Sequence, residues 1–402
     1  MYDVIVVGAG PAGIMASIEA ARNYKQVLLI DSNPVIGKKL SITGGGRCNV
    51  TNNKTIENLM EYIHNGKFLY SALNNYGPTD IIEFFESRDL KLKEENLGRM
   101  FPITDNASDV IYVLEQELKT LNVTLRLNTK VTDIIIEDGY CNGVKIGDEE
   151  VRSYNTVIAT GGKSYKHTGS VGLGLEFAKK CKHTVIEPKP ALTPLKTKSR
   201  EVSHLQGVSV RSVNTYNHDK SVCIEKNDIL FRHDGLSGPG VLKISDTILE
   251  NENKMIIFDL CPDFKEEQLV IKIENLIQSN RQKTIPNALK ELGVSKIIEE
   301  VLNRSFIDLE RKALHINPKE MTTLAKNFKN LDFTVIGDYG IDKGFVTKGG
   351  VDLKEVIPKT FESKLVGGIY FVGEVLNIHA HTGGYNITAC MSMGAKCGSS
   401  IY

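Results

Sequence analysis

The chain of 402 residues has no tryptophan, only 12 prolines and no surplus of either charge: 49 basic residues stand against 49 acidic ones. With that balance and no long like-charge block, the bulk attraction that nucleic acid or an anionic membrane would need is missing. The seven cysteines (Cys48, Cys141, Cys181, Cys223, Cys261, Cys390, Cys397) are scattered, and no pair has the C-x-x-C spacing. That argues against a disulfide framework and against a zinc or other metal site, and points to a reducing cytoplasm. No apolar run approaches the ~20 residues that span a bilayer, so no membrane partner is expected. The first strand pattern starts at residue 3, which reads as leaving no room for a secretory leader. The length exceeds one ordinary core, so two or three domains are expected.

What is present is concentrated at the start. Asp3-Val4-Ile5-Val6-Val7 reads as a strand buried on both faces, and it runs into Gly8-Ala9-Gly10-Pro11-Ala12-Gly13. An Ala/Ile/Met-rich helix follows to about Arg22; then Val27-Leu28-Leu29-Ile30 forms a second strand ending in Asp31. This is the order a dinucleotide site needs. Gly8 permits the tight turn, Gly10 lets backbone approach a pyrophosphate, and Gly13 lets helix and strand pack closely. The first N–H groups of the helix then face the phosphates. Asp31 can accept hydrogen bonds from ribose hydroxyls and would repel a 2′-phosphate.

Further along, residues 79–88 and 107–121 read as amphipathic helices, 123–127 as a strand, and 131–136 with 143–146 as a hairpin. Thr156-Val157-Ile158-Ala159 is a short apolar strand. Around Pro188, Pro190 and Pro194 the character changes to short alternating strands, such as 208–213 and 255–260. From 265 to 330 the chain is charged and helical, with Leu269, Ile273, Leu276 and Ile277 on one face. Strand character resumes at 332–336 and 367–372. The fold class expected is α/β: a nucleotide domain split in sequence, interrupted by a β-rich part and a small helical part.

Three segments bear on the kind of nucleotide. In residues 40–52, Gly44-Gly45-Gly46 precede Arg47-Cys48-Asn49, a place for main chain to lie against a ligand. There Arg47 is expected to meet a phosphate or substrate anion, and Asn49 and Thr51 a ring edge. Thr160-Gly161-Gly162 ends a strand that would pass under the nucleotide. Gly373-Glu374 ends another strand, and Gly383-Gly384 opens a small-residue helix from Tyr385 through Asn386 and Ile387. Such a helix start can stabilise negative charge on a reduced flavin. A dehydrogenase using only NAD has no need of this C-terminal return, whereas the longer FAD uses both ends of the chain. No second complete glycine motif is found: 169–174 lacks a preceding buried strand and a following acid. NAD(P)H is therefore expected only as a transient donor.

Residues 8–13, 44–52, 160–165, 236–239, 346–351 and 373–386 resemble signature stretches of the BaiN/YhiN-like NAD(P)/FAD-dependent oxidoreductases, over essentially the whole chain. Residues 381–388 and the modest length are most similar to the aminoacetone oxidase subgroup. The resemblance implies a two-dinucleotide-binding-fold FAD domain (1–190 and 345–402), a β-barrel-like insert (191–263 and 331–344) and a helical domain (264–330). It implies tightly bound FAD, with contacts at Gly8 to Gly13, Asp31, the Arg47 loop, Val131, Gly161, Glu374 and Tyr385 to Ile387. Lys39, Thr160 and Gly373 complete the expected set.

The subgroup pattern implies proline at Lys166, threonine at Arg232, aspartate at Asn377, asparagine at His379 and a small residue at His167. Several of these differences add basic or potentially cationic groups, so a neutral or anionic small-molecule substrate is expected. His379, His381, His233 and Lys163 are candidates for acid–base work or substrate binding. The competing reading of each is a solvated or turn-bracing side chain, and Cys48 reads as a packed thiol. The expected reaction is hydride exchange between a small organic substrate, or NAD(P)H, and flavin N5, as in an amine or amino-ketone oxidase. The alternatives are an NAD(P)H-dependent carbon–carbon double-bond reductase and a flavoprotein of RNA modification or redox sensing. A monomer or homodimer is expected.

Overall fold

A computed structural model describes residues 1–401. The chain divides into two compact units, residues 1–190 with 344–402 and residues 191–343.

The first unit is built on a parallel sheet. Its strand order is Thr124–Arg126, Val27–Ile30, Tyr2–Val7, Glu149–Ile158, with Ile369–Phe371 beside the last. Four of the six residues of Tyr2–Val7 and all of Val27–Ile30 are buried, as a sheet covered on both faces requires. The glycine turn leaves the C-terminal end of Tyr2–Val7, where ligands of such sheets bind. The helix Pro11–Arg22 has proline at its first position, where the missing N–H is no loss.

Against that helix lies the C-terminal helix, Tyr385–Ser399. A Cβ at Gly394 would stand 2.1 Å from the carbonyl oxygen of Ala12, and one at Gly398 would stand 2.3 Å from that of Ala16. The two backbones therefore touch, and only glycine at those two positions permits it.

Glu149–Ile158 is longer than the 156–159 strand expected from sequence. Its first half pairs antiparallel with Tyr140–Ile146, and its second half runs parallel to Tyr2–Val7. The charged start hid it. Glu150 and Arg152 are drawn into surface ion pairs with Lys145 and Glu137, so the alternation looks like a loop.

The second unit holds a closed six-stranded barrel in the order Leu195–Thr197, Gly235–Ser237, Cys223–Phe231, Ser209–Asn217, Met255–Asp259, Leu331–Asp338. Phe231, Phe258 and Phe333 meet inside it, with ring centroids 5.5 Å apart for Phe231 and Phe333. The helices Glu266–Ser279, Ser295–Arg304 and Pro318–Lys329 share this core: Leu269, Ile273 and Phe328 belong to one apolar cluster with the barrel phenylalanines. A helix at Pro239–Glu250 lies within the stretch expected to hold only short strands.

Among the described residues all seven cysteines are free, no acidic, histidine and cysteine side chains gather as a metal site, and no helix is long and apolar enough to cross a membrane.

Candidate cofactor site

The site grows from steric demands at the end of the first strand. A Cβ at Gly8 would sit 2.5 Å from the carbonyl oxygen of Ala159, and a Cβ at Gly13 only 1.9 Å from that of Gly8. These two glycines are fixed by protein against protein. Gly10 differs: nothing lies within 4 Å of where its Cβ would be. The helix it opens has no side-chain cap and no acid in its first turn, so the start of its dipole is left to a ligand. Asp31 Oδ2 accepts the amide of Ala9 at 2.7 Å while Oδ1 accepts both nitrogens of Asn33 at 2.8 Å. The carboxylate is thus pinned beside the turn, and the turn's shape depends on it.

The second wall is the loop of three glycines. Gly44, Gly45 and Gly46 all have positive φ, and the Cβ positions of Gly45 and Gly46 face open space. Arg47, expected to meet a phosphate or substrate anion, has protein partners on every side the structure describes for it. Its guanidinium pairs with Glu95 at 2.7 Å and Asp105 at 3.2 Å and lies 4.0 Å over the ring of Phe101. Two carboxylates and an aromatic face outcompete an open loop for it. Cys48 is fully buried, and burial pushes its thiol up to about 12, so it is not a nucleophile. Its neighbour Asn49 is buried with Oδ1 unpartnered, 3.1 Å from the Cβ position of Gly384 at the start of the C-terminal helix.

The third wall joins the remaining motifs. Gly373 sits where a Cβ would be 3.0 Å from that of Ala12, which puts the Gly373-Glu374 turn beside the first helix. Glu374 pairs with Lys39 at 2.8 Å, and Lys39 also donates to Ser164 Oγ at 2.9 Å. Thr160 Oγ1 accepts the amide of Gly174, so this side chain holds the helix Leu173–Lys180. Val131 is buried and offers only backbone to a ligand.

At the C-terminal helix, Asn386 clamps the preceding loop through the backbone of Ala380, with bonds of 2.8 Å each way. Ile387 is partly buried against the core of this unit. Tyr385 stacks on Tyr62 at 4.7 Å, His381 meets Tyr62 edge-on at 6.1 Å, and Lys54 stands 5.2 Å over the same ring. The short strand His379–Ala380 pairs with Ile63–His64, so His379 is buried against His64 and His381 is the more exposed of the two. Lys163 lies along Gly172, where a Cβ would meet its Cε at 2.7 Å. His233 is exposed in the second unit, in the turn closed by the Arg232 amide and the Gly235 carbonyl. Sequence reasoning missed Tyr62, and it gave Thr347 no role although 346–351 is one of the signature stretches.

FAD fits this arrangement. The open cradle at Gly10, Gly45 and Gly46 and the uncapped helix start ask for an extended, anionic ligand, and the orphaned amide oxygen of Asn49 asks for a donor on it, such as a ring N–H. Fold and cradle together define a Rossmann-type FAD domain with a barrel insert, the architecture of an FAD-dependent oxidoreductase. The family model described as "HI0933-like protein Rossmann domain" matches residues 2–400, and the chain belongs to that family.

Several relatives match along nearly their whole length. The chain is 30% identical to the Ribosomal RNA dihydrouridine synthase of Escherichia coli (strain K12), covering 100% of this chain and 98% of the relative. It is 28% identical to the 3-dehydro-bile acid delta(4,6)-reductase of Clostridium scindens, covering 99% and 98%. Among solved structures, the 3-ketosteroid delta1-dehydrogenase of Sterolibacterium denitrificans is similar in fold, with a TM-score of 0.52 at 12% identity over 100% of this chain and 99% of that one.

Proposed function

We propose that this protein reduces carbon–carbon double bonds conjugated to a carbonyl group, with NAD(P)H as the transient electron donor and a neutral or anionic substrate, in a reducing cytoplasm. The observation that supports this most is a bond change common to the names of relatives matched over nearly their whole length. Dihydrouridine is uridine reduced at the double bond beside a pyrimidine carbonyl. A delta(4,6) pair in a 3-keto steroid is likewise conjugated to its carbonyl. FAD, when bound, supplies the two-electron chemistry. The residues of this chain would hold it by the Gly8–Gly13 turn and the start of Pro11–Arg22, with Glu374 and Lys39 on the other side. Reduction of such a bond places negative charge on the carbonyl oxygen and then requires a proton at the α-carbon. The uncapped start of Tyr385–Ser399 favours negative charge near it, and His381 and Tyr62 stand beside that start as polar groups that can steady an oxyanion or hold a proton.

Anaerobic mixing tests the reading. NAD(P)H should bleach the flavin, and a cyclic enone should restore its colour without peroxide. Bleaching by aminoacetone, followed by peroxide when oxygen is readmitted, would instead establish an amino-ketone oxidase, the reading suggested by residues 381–388. Uridine within RNA is a candidate substrate of the same reduction through the Escherichia coli relative. Salt-sensitive retention of RNA would support that substrate.

A further inference from the structure

Thr347 lies on the strand Val346–Val351 and is buried. Its Oγ1 accepts the amide hydrogens of Lys163 at 2.8 Å and Ser164 at 3.1 Å. Two successive N–H groups thus converge on one oxygen, the concave geometry that elsewhere receives an anion. The Thr347 amide donates to Glu374 Oε1 at 2.6 Å. The same carboxylate accepts Ser164 Oγ at 3.2 Å and Lys39 Nζ at 2.8 Å. A Cβ at Gly162 would stand 2.3 Å from Thr347 Oγ1 and 3.2 Å from Glu374 Cδ, so the turn after Gly161 is pressed onto this residue. One side chain therefore closes a ring of hydrogen bonds among four segments distant in the chain: 39, 162–164, 347 and 374.

We propose that Thr347 is a positioning residue of the cofactor site, which fixes the Glu374 carboxylate and the turn at 161–164 as one body toward bound FAD. It acts through Glu374 and does so whatever the substrate is. The hydroxyl oxygen uses both lone pairs on the two amides, so valine, equal in shape, leaves two amide donors, one of them buried, without their acceptor. Serine keeps the oxygen and loses only a methyl group.

The test is FAD affinity, read by fluorescence of the free cofactor, alongside melting of the FAD-free protein. Thr347→Val should bind FAD at least about tenfold more weakly, and Thr347→Ser should stay within about threefold of the parent protein. Combined with Glu374→Gln, the loss should be smaller than the product of the two single losses. Unchanged affinity in Thr347→Val, failure of serine to restore it, or multiplicative losses in the pair would each overturn the proposal. If Thr347→Val does not fold, Thr347→Cys takes its place, since a thiol is a far weaker acceptor for the two amides. FAD binding weaker than in Thr347→Ser supports the proposal, and equal binding overturns it.

Discussion

Two glycine-rich loops line the same site and use glycine for opposite reasons. In the turn at 8–13, Gly8 and Gly13 are pressed against backbone carbonyls at 2.5 and 1.9 Å. In the loop at 44–46, the Cβ positions of Gly45 and Gly46 meet nothing within 4 Å, although both residues have φ values that side chains rarely adopt. The first pair is demanded by packing of the protein on itself, while the second combines backbone conformation with room for a ligand. Gly10 belongs to the second kind in space but not in conformation, because its φ is −83°. A glycine motif read from sequence is therefore a mixture of structural and ligand-facing positions, and substitution can sort them.

The largest effect should come from Gly13→Ala. The new methyl group would be driven into the Gly8 carbonyl at 1.9 Å with the Ala159 side chain at 3.1 Å beside it, so stability should fall by at least about 3 kcal/mol, with FAD binding lost. A melting curve of the FAD-free protein matching the parent would break the distinction between the loops. Gly10→Ala should do the reverse. FAD-free stability should change by no more than about 1 kcal/mol, the effect of losing glycine at a helix cap, while FAD affinity drops about tenfold. Calorimetry on the FAD-free protein and a cofactor titration separate the two quantities.

Gly45→Ala should fall between them, losing about 1 kcal/mol to left-handed strain even before FAD is added. Arg47→Gln should be milder still. Its ion pairs with Glu95 and Asp105 are partly exposed, so stability should move by about 1 kcal/mol at most and FAD affinity should hold. A tenfold loss of affinity would show that the guanidinium turns to the cofactor after all.

The smallest expected signal concerns Cys48. Because burial raises its thiol to about 12, the group stays neutral at and well above pH 8, and the reactive thiolate forms only toward that value. Iodoacetamide at pH 8 should leave it unmodified in the folded protein and label it on unfolding. Mass spectrometry should find the exposed Cys223 labelled first.

These cases show which parts of the fold were legible along the chain. The first strand, the glycine turn and the helix ending at Arg22 were readable because each is a local rule: an apolar run, proline at the first helical position, a basic residue in the last turn. The C-terminal helix starting at Tyr385 was readable from Gly383-Gly384 for the same reason. The helix Pro239–Glu250 carried a signal that went unused, since Val241, Leu242, Ile244, Ser245 and Ile248 are buried at helical spacing behind Gly238-Pro239. Arg47 shows the opposite limit. Its position in a ligand-facing loop was legible, but its carboxylate partners stand 48 and 58 residues away.

The sequence by itself determined the dinucleotide turn and the buried strands that carry it, because these depend on neighbours within a few residues. Tertiary structure alone decided which glycines face protein and which face open space. It also decided that Lys39 meets Glu374 across 335 residues and that Thr347 meets Lys163 across 184. Such contacts follow from how the sheet and the C-terminal helix close on one another, and no local pattern encodes the distance between side chains that packing brings together.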